Sequence, residues 1–92
     1  MPYSLNLPTF FTKAGWKVKV RDKERVETPH ATIIRGVRAW RWDLRIGAMM
    51  DREPPAKDVP AGLLAILRRN RVELCAAWDK MYPLNVVGVE HE

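Results

Sequence analysis

The order of hydropathy patterns along the chain predicts an α+β fold: a small antiparallel sheet of three or four strands, one face covered by a C-terminal helix or two short helices. Three observations predict it. Period-two alternation of apolar and polar residues is confined to residues 16–50, and helical spacing of large apolar residues is confined to 61–81. Between them runs a polar, proline-rich connector, Asp51–Pro60, which suits neither a central strand nor a helix interior. Ninety-two residues make one domain, and 47% hydrophobic with 29% charged residues is a globular composition.

The lead through Pro2 and Pro8 reads as extended chain. Trp16–Arg21 alternates without a break, so Trp16, Val18 and Val20 point inward and Lys17, Lys19 and Arg21 outward. Asp22–Pro29 is charged, aperiodic and closed by proline, the pattern of a solvated loop. Ala31–Arg35 is a short β-branched strand, and Gly36 supplies a tight turn into the next. Val37–Ile46 is the longest strand expected. Trp40, Trp42, Leu44 and Ile46 share one face, and Arg41, Asp43 and Arg45 share the other. Val37 and Ala39 are out of phase, which a bulge near Ala39 or Trp40, or a change at the strand end, would reconcile. Gly47 turns the chain into a short return strand, Ala48–Met50.

Asp58 and Pro60 suit the first turn of the helix that follows. Leu63, Leu67, Leu74, Trp78 and Met81 recur at helical spacing, giving one long helix or two broken near Asn70. Tyr82-Pro83 ends it. Residues 84–89 could add an edge strand, and Glu90–Glu92 reads as a frayed tail within a terminal segment, 84–92.

Cys75 has no second thiol for a disulfide or a zinc ribbon, and its place between Leu74 and Ala76 marks a buried structural thiol. No apolar run is long enough to span a bilayer, and the first residues lack a secretory pattern, so the expected compartment is cytoplasmic and membrane partners are excluded. Residues 1–46 hold ten basic and four acidic groups, whereas residues 47–92 hold six and seven, so the +5 surplus arises in the first half. A basic balance of this kind fits phosphate backbones or an acidic protein surface.

Leu7-Pro8-Thr9-Phe10-Phe11, Gly15-Trp16-Lys17-Val18, Pro29-His30-Ala31-Thr32 and Asn70–Trp78 occur in an order that resembles a widespread bacterial family of small proteins classed as a domain of unknown function. The resemblance covers residues 7–82. It rests on a Pro-His-x-His strand and a Glu-Leu-x-x-x-Trp helix, here Glu73-Leu74 and Trp78. It implies a bacterial or mobile-element origin and a protein partner in a two-gene pair of toxin–antitoxin type. Thr32 replaces the second histidine of that strand, so His30 lacks the neighbour that a metal site or two-histidine acid–base pair would need.

Neither metal nor cofactor is expected. His30 is the sole catalytic candidate, as an acid or base with Arg35, Arg38 or Arg41 holding a phosphate; a histidine that starts a strand and hydrogen-bonds locally is the favoured alternative. The candidate nucleic-acid contacts are Lys17, Lys19, Arg21, Arg35, Arg38, Arg41 and Arg45 on a basic sheet face. Trp40 and Trp42 either pack under the helix, the favoured reading, or stack on bases. Four tryptophans and four methionines exceed what a short helix covers, which suggests a homo-oligomer or a cognate protein that buries the rest. The function expected is a basic interaction module that binds a cognate protein partner and contacts RNA or DNA. The alternative is a metal-independent ribonuclease-like toxin built on His30.

Overall fold

The computed structural model describes residues 3–21 and 27–87. Five strands, β1 (Tyr3–Ser4), β2 (Trp16–Val20), β3 (His30–Arg35), β4 (Arg38–Asp43) and β5 (Ala48–Met49), form an antiparallel meander in that order. Helix α1 (Thr9–Lys13) separates β1 from β2, and helices α2 (Ala61–Arg69) and α3 (Arg71–Met81) follow the sheet. The class is α+β, with five strands where three or four were expected.

The extra strand comes from the lead. Tyr3 and Ser4 pair with Val20 and Lys19. Helix α1 was not expected either, because five residues carry no periodicity. Its cause is tertiary: Phe11 is buried, with its ring at the start of α2 beside Gly62. The Pro8 carbonyl accepts the amides of Phe11 and Thr12, and Gly15 at φ +93° releases the chain into β2.

Strand β4 has no bulge. Its six residues pair in unbroken register with β3, from Arg35↔Arg38 to His30↔Asp43. Val37 is out of phase because it lies in the two-residue turn with Gly36 (φ +61°), where it is fully exposed. The strand also ends before Ile46. The Asp43 carboxylate accepts the amides of Arg45 (2.7 Å) and Ile46 (3.2 Å), and this local turn competes with further ladder. Ile46 is therefore exposed, while Leu44 stays buried.

The helical region is split at Asn70, whose backbone and side-chain N–H groups both donate to the Ile66 carbonyl (3.0 and 2.8 Å) and so close α2. Pro60 precedes α2 without a side-chain cap; Asp58 instead faces Arg38. Residues 84–87 form no strand, and the rest of the expected edge strand, the tail 90–92 and residues 22–26 of the loop lie outside the described residues.

Paired residues share a face. Val18, Ile33 and Trp40 make one inward row, and Ala31, Trp42 and Met49 another. They share a core with Leu63, Leu67, Leu74 and Trp78 from the two helices. All four tryptophans are at most 4% exposed, so Trp40 and Trp42 are core and offer no ring for base stacking. Tryptophan is thus no part of the expected apolar surplus; among the described residues the exposed large apolar side chains are Phe10, Val37, Ile46, Val72, Leu84 and Val86. Two of the indoles donate hydrogen bonds: Trp40 Nε1 to the Pro55 carbonyl (3.1 Å) and Trp78 Nε1 to the Asn85 carbonyl (2.7 Å). Among the described residues no helix is long and apolar enough to cross a membrane.

Replacing Trp78 by Ala should cost about 3–5 kcal/mol in chemical denaturation, because it empties the site between His30 and Tyr82 and removes the indole donor to the Asn85 carbonyl.

Candidate functional site: the uncovered sheet face

With both helices contributing to the inward core, the opposite sheet face carries two cross-strand rows, Lys17–Ile34–Ala39 and Lys19–Thr32–Arg41. Ser4 extends the second row across β1. Thr32 is 3% exposed even though it lies on this face, flanked by the long side chains of Lys19 and Arg41. Lys17 is exposed and Lys19 half-buried.

The seven expected contact residues do not form one patch. Lys17, Lys19 and Arg41 share the outer face. Arg35 and Arg38 fall by register on the inward face at its open end, where each guanidinium lies over an indole, 5.3 Å from Trp16 and 5.0 Å from Trp40. Arg35 donates to the Ala14 carbonyl (3.0 Å), and Arg38 pairs with Asp58 (2.5 Å). Arg45 is in the turn after β4, and donates to the carbonyls of Val86 (3.0 Å) and Val87 (2.9 Å). Arg21 follows β2 and is exposed; its carbonyl accepts the Tyr82 hydroxyl.

Arg41 is on the right face but is already neutralised. It makes a two-pronged contact with Asp51 (2.8 and 2.6 Å), and its other terminal nitrogen reaches Glu27 (3.2 Å). Hydrogen bonding to Asp51 raises the Arg41 pKa above its ordinary value, and the reciprocal bond lowers the Asp51 carboxyl, with a smaller contribution from His30. Neither acid was legible as a partner. Glu27 and Asp51 sit in segments read as loop and connector, fourteen and ten residues from Arg41, and no local pattern marks so long a closure.

His30 is fully buried, with its ring 5.4 Å from Trp78. Its Nδ1 lies 2.8 Å from the Thr28 carbonyl, which can only accept, so the proton is assigned to Nδ1. The ring fixes the start of β3, and Nε2 lies 3.8 Å from Glu27. A general acid must reach its substrate, and this ring is enclosed. Cys75 is buried as expected. Among the described residues no group of three or more His, Cys, Asp or Glu could hold a metal ion.

What remains uncommitted are the cations of β2 and the residue after it. Lys17, Lys19 and Arg21 carry no ion pair among the described residues. Comparison of the chain with protein-family models, curated proteins and solved structures finds no match.

The depressed Asp51 carboxyl gives a pH dependence with a definite sign. Its stabilisation is present above the ordinary carboxylate range and is lost as pH falls through the folded value. Asp51→Asn should lower stability near pH 7 by about 1 kcal/mol and flatten the acid limb of a Tm-against-pH curve relative to wild type.

Proposed function

We propose that this chain is a small, non-enzymatic interaction module of the cytoplasm that joins a cognate protein partner to a polyanion, most simply an RNA or DNA backbone. The observation that carries the reading is the row Lys17, Lys19, Arg21 beside an uncovered sheet face, free of ion pairs among the described residues. Alternate residues of a strand recur about every 6.7 Å, a spacing close to that of successive phosphates on an extended strand. With the tryptophans in the core, contact on this face rests on charge and not on base stacking, so it discriminates weakly between sequences.

The protein limb of the proposal has its own support. Val72 of α3 is 82% exposed, beside a shallow groove of about 160 Å³ that it lines with Arg71, Cys75, Ala76 and Asp79. The resemblance to a bacterial family found in paired genes points the same way and suggests a toxin–antitoxin-like or mobile-element setting. The ribonuclease-like alternative loses ground to the enclosure of His30.

Fluorescence anisotropy against short RNA and duplex DNA at ~50 and ~200 mM salt tests the polyanion limb. Three released counterions weaken binding by about 20–40-fold across that range. Lys17→Glu with Lys19→Glu should abolish binding with little change in Tm. Weak binding that ignores salt would sink this limb. For the protein limb, Val72→Arg should release the partner encoded beside this chain in co-purification while leaving nucleic-acid affinity unchanged; retention of the partner would argue against α3.

A further inference from the structure

The cations of β2 border a groove of about 270 Å³, close to the lower limit for sites that hold small organic ligands. One wall is the N-terminal lead: Ser4 stands opposite Lys19 in the ladder, and the Leu5 amide donates to the Val18 carbonyl (2.9 Å), which holds Leu5 and Leu7 along the strand. Thr12 of α1 lines it too. Among the described residues, none that lines it is acidic.

The hydrogen-bonding inventory of the groove is lopsided. Lys17, Lys19 and Ser4 line it and bring two ammonium groups and a hydroxyl, all donors. The Thr12 hydroxyl already donates to the Thr9 carbonyl (3.2 Å), so it adds no donor. Donors with two positive charges, and no carboxylate among the described lining residues, suit a compact dianion. A phosphate monoester carries ≈ −1.5 to −2 charge at neutral pH and three strong acceptor oxygens. A phosphodiester inside a nucleic-acid strand carries a single charge and is joined to chain on both sides. The apolar Leu5 and Leu7 complement the organic body attached to the phosphate.

We propose that this groove binds a phosphate monoester with a small organic body, either the terminal phosphate of a nucleic-acid strand or a free nucleotide. The inference deepens the polyanion reading and, for its strand-end form, rests on it. The β2 row then leads a strand toward its end, and the groove receives that end.

The test titrates the full chain at ~150 mM salt with a short oligonucleotide bearing a terminal phosphate, the same oligonucleotide ending in a hydroxyl, and a nucleoside monophosphate. Trp16 also lines the groove, so its fluorescence reports occupancy beside anisotropy. The phosphorylated end should bind about tenfold tighter than the hydroxyl end, and the monophosphate should compete for the difference. Ser4→Glu places a carboxylate opposite Lys19 at an exposed position; it should erase the tenfold preference and spare Tm. Equal affinity for both ends overturns the groove proposal and leaves the polyanion reading standing. Monophosphate binding that Ser4→Glu abolishes, with no strand binding at all, supports the groove and overturns the polyanion reading. Absence of binding by all three ligands overturns both.

Discussion

The register of the central strand governs the rest of the molecule. Ile33 sits between Val18 and Trp40, and Thr32 between Lys19 and Arg41. Because side chains alternate with a period of two, this alignment sends every large ring on β2 and β4 toward the helices and sets Lys17, Lys19 and Arg41 on the other side. A slip of one residue would expose Trp40 and Trp42 and bury Arg41 without its acids. Gly36 protects the alignment: a positive φ in a two-residue turn leaves the β3–β4 pair little freedom to shift.

Once that register is set, the basic residues divide by strand. The arginines of β3, β4 and the following turn find partners within the chain, backbone carbonyls for Arg35 and Arg45, carboxylates for Arg38 and Arg41, indole faces for Arg35 and Arg38, whereas Arg21 after β2 stays exposed. The planar, multiply donating guanidinium suits such fixed contacts, whereas the ammonium of lysine is a mobile point charge. Lys17 and Lys19 accordingly stay available. Formal charge treats engaged and available cations alike, which is why a whole-chain value of +5 overstates the positive field that a partner meets.

The features legible in the sequence were those with short-range causes. Strand β2 announced itself by strict alternation, the α2–α3 region by its leucine spacing, and the break by Asn70. What escaped was set by distant contacts. A five-residue helix forms because Phe11 finds a place beside α2, and a two-residue strand forms because β2 offers an edge. The early end of β4 had a local signal, Asp43 followed by Arg45-Ile46-Gly47, which the alternation of Trp42, Leu44 and Ile46 masked. For the site, the sequence identified the cation row on β2 but could not show that Glu27 and Asp51 had already claimed Arg41. The burial of the four indoles, by contrast, followed from the alternation in β2 and β4 and the spacing in α3, although the count of large apolar residues pointed to more than a short helix could cover.

The arginines from β4 and its following turn have one more property in common. Arg38 reaches Asp58, Arg41 reaches Asp51, and Arg45 reaches the carbonyls of Val86 and Val87, so each grips the half of the chain beyond Gly47. The basic excess of the first half thus serves as a set of clasps. Two of these clasps, Arg38 to Asp58 and Arg41 to Asp51, close on the proline-rich stretch itself, as does the Trp40 indole on the Pro55 carbonyl. That stretch is therefore strapped to β4, and an insertion or a nick within it would loosen the fastening between sheet and helices.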